Sequence, residues 1–255
     1  MSLASALADL AGQAGGPGIL VAVDFDGVLA PLRDDPAESR PLPEAAQALR
    51  RLARASGTHL AVVSGRALAD LAWVADPPPG THLVGSHGAE RGRWTDGKLG
   101  RSELALGPRE AALLDELTAG LQALVAGTTG RAERKPTSVV LHTRTATADD
   151  AARLVPAALS LGRRPGVDLL QGKDVVELSV LAVTKGDALV ALRAELGVGA
   201  VLYAGDDVTD ERAFAALRPG DLTVKVGAGP TLARWRVDGP AEVAALLSRL
   251  ADLVT

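Results

Sequence analysis

Two carboxylates one residue apart stand where an apolar run ends: Asp24-Phe25-Asp26-Gly27 follows Ile19-Leu20-Val21-Ala22-Val23. An ionised aspartate at the mouth of a buried strand needs a cation, a hydrogen-bond donor or a proton to stay there. Alternation along a strand would turn Asp24 and Asp26 to the same side. Gly27 lets the backbone turn sharply after them. Such a pair suits gripping a divalent metal and doing acid–base or nucleophilic chemistry beside it.

Three further polar strings fall behind apolar runs. Ser64-Gly65-Arg66 follows His59–Val63, and Gly85-Ser86-His87-Gly88-Ala89-Glu90 follows His82–Val84. Gly205-Asp206-Asp207-Val208-Thr209-Asp210-Glu211 follows Ala200–Ala204, with Lys185 shortly upstream. In open parallel sheets, ligands bind at the C-terminal ends of the strands. These residue types suit phosphoryl transfer. One carboxylate can attack phosphorus to form an aspartyl-phosphate, and a second can protonate the leaving alcohol and then activate water. Mg²⁺ takes oxygen ligands and keeps several waters, so one or two carboxylates suffice to hold it. A Ser hydroxyl and a Lys ammonium supply the remaining donors to the phosphoryl group. Each string has a plainer alternative. Asp-x-Asp-Gly is commonly a turn, Ser64 could cap a helix, Lys185 could be a solvated helix-start lysine, and Asp206 or Asp207 could serve the next helix as a cap. Their shared order behind apolar strands favours a site.

The elements that must position these residues alternate in kind. Strands are predicted at Ile19–Val23, His59–Val63, His82–Gly85, Ala200–Ala204 and Leu222–Val226. Helical spacing marks Pro43–Ala55, Ala67–Val74, Lys185–Leu196, Thr209–Leu217 and Ala241–Leu253. This order predicts an α/β fold, a Rossmann-like parallel sheet with helices on both faces. The middle of the chain differs. Helices are predicted at Pro108–Ala126 and Ala148–Leu161, and strands at Ala132–Lys135, Ser138–Thr143, Asp168–Gln171 and Asp174–Leu178. That order suggests a small antiparallel sheet with helices on one face, an inserted α+β cap domain. The expected division is 1–106 and 181–255 for the core and 107–180 for the cap.

Taken together, Asp24-Phe25-Asp26-Gly27, Ser64, Lys185 and Gly205-Asp206-Asp207 resemble the four motifs of the haloacid dehalogenase (HAD) superfamily. Within it, the wording is closest to the trehalose-6-phosphate phosphatase family. The strings that carry this are Val63-Ser64-Gly65-Arg66, Gly85 to Glu90, Thr184-Lys185-Gly186 and Tyr203 to Glu211. Glu133-Arg134-Lys135, His142 and Gly172 to Glu177 add to it from the cap. The resemblance spans about residues 19 to 250 and implies the following roles. Asp24 is the nucleophile and a metal ligand. Asp26 is the general acid/base, its backbone carbonyl also touching the metal. Asp206 is the third protein ligand to Mg²⁺, with Asp207 and Asp210 behind it or as alternative ligands. Ser64, Gly65 and Lys185 hold the phosphoryl group. Arg66, His87 and Glu90 face the sugar from the core, and Glu133, Lys135 and Glu177 bond its hydroxyls from the cap, which is expected to close over the core. The implied activity is hydrolysis of trehalose 6-phosphate through an aspartyl-phosphate.

One departure stands in the first motif. The superfamily usually has Thr after the Asp-x-Asp-Gly string, and here the residue is Val28, so a hydroxyl that could orient Asp26 is missing. The rival readings are a phosphatase for another sugar phosphate (sucrose 6-phosphate or a glucosylglycerate phosphate), a non-catalytic sugar-phosphate sensor, and a phosphotransferase or mutase.

Composition bounds the partners. At 255 residues and 47% hydrophobic, the chain can bury the core of a large domain plus a smaller one. Aromatic residues at 2% argue against a stacking platform for single-stranded nucleic acid. A net charge of −4 argues against nucleic-acid or anionic-membrane partners. No apolar run approaches the length of a membrane span, and Met1 to Gly18 shows no basic start or cleavage site, so no signal peptide is expected. The absence of cysteine removes disulfides and thiol catalysis, and with four His it argues against a structural zinc. A cytoplasmic monomer acting on a small sugar phosphate is expected.

Overall fold

The computed structural model describes residues 2–102 and 106–255. The chain divides into two compact units, Met1–Glu103 with Val183–Thr255, and Leu104–Ala182.

The first unit is built on an eight-stranded sheet. Its strands are β1 (Ile19–Asp24), β2 (Thr58–Val63), β3 (His82–Gly85), β4 (Glu90–Thr95), β5 (Lys98–Ser102), β10 (Ala200–Gly205), β11 (Leu222–Val226) and β12 (Trp235–Val237). Their order is β12-β11-β10-β1-β2-β3-β4-β5. The first six pair in parallel, and β4 and β5 add an antiparallel edge. β1 and β10 lie side by side inside the sheet with every residue buried, as a strand covered on both faces requires.

Alternation divides the core into two layers. Ile19, Val21 and Val23 of β1 pack in the layer with helices α1 (Leu3–Ala14), α2 (Pro43–Leu52), α3 (Leu68–Ala75) and α8 (Pro240–Val254). Leu20 and Ala22 pack in the other, with α6 (Lys185–Leu196) and α7 (Val208–Ala216). Asp24 shares the parity of Leu20 and Ala22, so it leaves the strand on the α6 and α7 side.

The sequence-predicted strands and helices of the core are present within a few residues, and three features made of four further elements join them. One is α1, capped by the Ser2 hydroxyl, which accepts from Ser5 N–H at 3.2 Å. Another is the β4–β5 hairpin. The third is the three-residue strand β12.

The second unit contains β6 (Arg131–Arg134), β7 (Ser138–His142), β8 (Asp168–Gly172) and β9 (Val175–Ser179), with α4 (Pro108–Val125) and α5 (Ala148–Gly162). The sheet order is β6-β7-β9-β8, antiparallel throughout. Val139, Leu141, Val176 and Leu178 pack with Leu114, Leu117, Leu121 and Leu154 of the helices. The opposite parity carries Arg131, Glu133, Val140, His142 and Glu177, with Glu133, Val140 and Glu177 in one cross-strand row. Among the described residues, no helix is long and apolar enough to cross a membrane.

Candidate active site

Parallel register brings the polar strings to one sheet edge. Asp24 pairs with Val63, directly before Ser64, and Gly205 pairs with Lys225. Asp24 is the last residue of β1, so Asp26 lies past the strand in a turn closed by Gly27 N–H to the Ala30 carbonyl at 2.8 Å. Strand alternation therefore does not govern the pair as expected, and the two carboxylates find different partners.

Asp24 is buried beside Lys185. Its Oδ1 accepts from Phe25 N–H at 2.7 Å, and its Oδ2 lies 3.0 Å from Lys185 Nζ. Lys185 is the first residue of α6, whose start is fixed by a capping box of Thr184 and Asp187. Its ammonium is 2% exposed and lies 2.8 Å from Asp210 Oδ1, so the solvated-lysine alternative does not hold.

Asp210 is the organising group. Its Oδ1 accepts from Lys185 and from the buried Tyr203 hydroxyl at 2.6 Å, and its Oδ2 accepts from the N–H groups of Asp206 and Asp207, both at 2.9 Å. With Asp207 it forms the capping box of α7, so Asp207 plays the helix-cap part. A Cβ at Gly205 would overlap the Asp210 carboxylate, and a Cβ at Gly27 would overlap that of Asp206. Gly27 also has φ +77°, a conformation that favours glycine.

Burial pushes the Asp24 carboxyl well above the ordinary carboxylate range against the pull of Lys185, with Asp210 and Asp206 adding to the rise. Burial likewise pushes Asp206 up to about 6, Asp210 adding and Lys185 opposing. For Asp210, burial acts upward but is outweighed by Lys185, then by Tyr203 and the Asp207 N–H, so its carboxyl is held low. Burial pulls Lys185 down, and Asp210 and Asp24 more than offset this. Among the described residues, Asp24, Asp206 and Asp210 form the one acidic group whose oxygens all lie within 4.8 Å of one another. Asp210 is already met by four donors, which leaves Asp24 and Asp206 as the pair able to hold a cation. Hard oxygen donors in a buried, anion-rich pocket fit a divalent metal. The Asp26 side chain is not in this group.

Asp26 instead faces Arg66, whose Nε and Nη2 donate to its two oxygens at 2.7 and 2.8 Å. Ser64 is buried, and its Oγ accepts from Arg66 N–H at 3.1 Å. His87 stacks so close to Gly65 that a Cβ there would overlap its ring. Ser86, His87 and Gly88 all have positive φ, of 46°, 55° and 116°. Holding two non-glycine residues there stores strain of the kind found at functional sites. Gly88 backs onto the Thr184 carbonyl, so this turn supports the start of α6. Glu90 anchors the turn: its Oε2 accepts from the Ser86 hydroxyl at 2.6 Å and from Leu68 N–H at 3.1 Å.

The three remaining expected residues lie on the second unit, on the sheet face opposite its helices. Glu133 accepts from Arg131 and sits against His142 Nε2, both at 2.9 Å. The His142 bond is the main cause that holds its carboxyl down at about 2, Arg131 and Lys135 helping against burial. Glu177 accepts from the Ser138 hydroxyl at 2.6 Å and lies 3.7 Å from Lys135 Nζ.

Two contributors have no role assigned from the sequence. Tyr203 holds Asp210, and Lys225 donates from β11 to the Asp206 carbonyl and lies 3.7 Å from Glu211. Both stand in fully buried strands, Tyr203 as the one hydroxyl of β10 and Lys225 as the one charge of β11.

Comparison with known proteins bears on this arrangement. The sequence profile of the trehalose-phosphatase family matches residues 22–241. Trehalose-6-phosphate phosphatase of Escherichia coli (strain K12) is 34% identical over 224 residues, which cover 86% of this chain and 82% of that protein. Trehalose-phosphate phosphatase of Mycobacterium avium (strain 104) is 34% identical over 249 residues, 90% of this chain and 61% of the longer relative. A crystal structure of a trehalose-6-phosphate phosphatase related protein is 28% identical and superposes with a TM-score of 0.74 over 92% of this chain and 97% of its own. With its HAD-type core carrying the acidic strand-edge cluster, the chain belongs to the trehalose-phosphatase family.

Proposed function

We propose that this chain hydrolyses trehalose 6-phosphate to trehalose and phosphate. The observation that carries the reading is the convergence of Asp24, Asp206 and Lys185 at one sheet edge, in a chain of this family. Asp24 Oδ attacks phosphorus, and the bond from phosphorus to the sugar oxygen breaks. The departing oxygen takes a proton from the Asp26 carboxyl. Asp26 then accepts a proton from water as its oxygen attacks phosphorus, and the bond to Asp24 breaks to release phosphate. Lys185 and Ser64 bind the phosphoryl oxygens. Mg²⁺ held by Asp24 and Asp206 would neutralise charge on the phosphoryl group when bound.

The sugar end is assigned to His87 and, on the second unit, to Glu133, Lys135 and Glu177. Sites built to bond hydroxyls discriminate strongly against ligands that lack them. The polar sheet face supports this assignment, since Glu133 and Glu177 stand in one cross-strand row and Lys135 Nζ lies 3.7 Å from Glu177.

The test is phosphate release with Mg²⁺ from trehalose 6-phosphate, run beside sucrose 6-phosphate, glucose 6-phosphate and a glucosylglycerate phosphate. Asp24→Asn and a chelator serve as blanks. Preference for trehalose 6-phosphate, lost in both blanks, is expected. Preference for another sugar would overturn the substrate, and release undiminished in Asp24→Asn would overturn the mechanism.

A further inference from the structure

Arg66 matches a motif expected to face the sugar, yet its guanidinium is committed elsewhere. Nε and Nη2 grip Asp26 in a fork at 2.7 and 2.8 Å. Nη2 also reaches the Pro36 carbonyl at 2.8 Å and Ser39 Oγ at 3.2 Å, and Nη1 donates to Asp70 Oδ2 at 2.9 Å. Its carbon lies 5.4 Å from the centre of the Phe25 ring. The guanidinium plane is thus fixed by α3 through Asp70, by the segment 36–39, and by the residue between the two aspartates. The Arg66 side chain is 10% exposed and that of Asp26 31%, so the fork is held from the buried side and its carboxylate reaches the surface of the site.

We infer that Arg66 is the positioning residue of Asp26, setting the direction in which that carboxyl meets the leaving oxygen and then the attacking water. The inference rests on the role proposed for Asp26. Val28 has no hydroxyl to share the task, and it is buried in the apolar layer with Phe25 and Leu29. A planar fork holds a carboxylate in one orientation, which a single ammonium cannot do. Each carboxylate oxygen has a second lone-pair site, so the held group can still exchange a proton. Asp70 acts one step further out by holding the fork.

A positioning role for a general acid makes a prediction that a structural role does not. A sugar alkoxide needs a proton to depart, whereas p-nitrophenolate leaves without one. Arg66→Met should lower kcat/KM for the sugar phosphate about 100-fold, the scale of general acid catalysis, and that for p-nitrophenyl phosphate less than about tenfold. KM for the sugar phosphate should not rise. Arg66→Lys should show the same split, and Asp70→Asn a weaker one with the fold undisturbed. Added guanidinium ion should restore part of the loss in Arg66→Met and none in Asp26→Asn. Equal losses on both substrates, or a raised KM for the sugar with kcat intact, would overturn the inference and return Arg66 to scaffold or substrate contact. If Asp26→Asn shows the split and the Arg66 variants do not, the inference fails while the mechanism stands. If Asp26→Asn shows no split, the acid role itself fails.

Discussion

Replacing Asp210 by Asn tests the claim that one carboxylate organises the site. The change is isosteric, but an amide offers one acceptor oxygen where the carboxylate offers two. If the amide nitrogen took the place of Oδ2, it would confront the N–H groups of Asp206 and Asp207, which the backbone fixes. It must therefore take the place of Oδ1, toward Lys185 and Tyr203. The tyrosine hydroxyl can rotate and accept from the amide. The ammonium cannot, so Lys185 keeps only Asp24. Breaking one side of a buried ion pair costs about 3–5 kcal/mol, a large part of the roughly 5–15 kcal/mol that holds a domain folded. Tyr203→Phe removes a bond to a charged acceptor, about 1.5–3 kcal/mol in the native background. It should cost less when position 210 is Asn, giving a coupling of about 1–2 kcal/mol in the double-mutant cycle. Trp73, Trp94 and Trp235 all belong to the first unit, so tryptophan fluorescence during urea denaturation follows the part that contains the site. A loss below about 1 kcal/mol in Asp210→Asn, far short of a broken buried pair, or additive effects of the two changes, would show that Asp210 does not organise the site.

Gly27→Ala places a methyl against the Asp206 carboxylate at φ +77°, which adds about 1–2 kcal/mol of backbone strain. Weaker Mg²⁺ binding by calorimetry and a matching loss of activity are expected, and unchanged metal affinity would contradict the placement. Glu133, held at about 2 against an ordinary 4.5, stabilises the fold above its unfolded pKa, and that contribution is lost as pH falls from about 4.5 through about 2. The full shift corresponds to about 3 kcal/mol, and screening at a side chain 36% exposed reduces it to about 1 kcal/mol. Glu133→Gln should therefore be less stable than the parent at neutral pH and equal to it near the acid end, and a constant difference across that range would count against the pairing with His142. Inorganic phosphate should bind measurably tighter with Mg²⁺ than with chelator, and equal affinity in both would remove the electrostatic case for the metal.

The strands that carry the site were legible because their burial is complete. Ile19–Val23 reads as an unbroken apolar run and Ala200–Ala204 as one broken only by the Tyr203 hydroxyl, and the polar strings at their ends stand out by contrast. The β4–β5 hairpin was legible too, from Asp96-Gly97, whose φ values of 51° and 74° suit the turn such dipeptides make, but it was passed over. Helix α1 carries Leu3, Leu7 and Leu10 at helical spacing, a signal that Gly12 inside it and Gly15 and Gly16 just beyond it weaken. The partners of the motif residues were not legible. Arg66 and Asp26 stand 40 positions apart, and nothing in their spacing says that one grips the other. Nor does spacing say that Asp210 gathers four donors, since that depends on the turn after β10 folding back onto its own carboxylate.

The charges explain why so much of the site is devoted to holding acids in place. Asp24, Asp26, Asp70, Asp206, Asp210 and Glu211 lie about Lys185, Arg66 and Lys225, so six potential negative charges meet three positive ones. Arg66 is shared by Asp26 and Asp70, and Lys185 is divided between Asp24 and Asp210. Lys225 touches a carbonyl of Asp206 and not its carboxylate. The shortfall falls on Asp24 and Asp206, the two groups whose carboxyls burial drives upward. A phosphate dianion brought to this edge would add repulsion in a poorly solvated place, where charges interact more strongly than in water. The same shortfall makes the edge attractive to a divalent cation, and a cation there reverses the sign that the phosphate meets. Pinning Asp26 to Arg66 keeps its carboxylate out of that cluster, so a proton-transferring group can stand beside a cation-binding pair without becoming part of it.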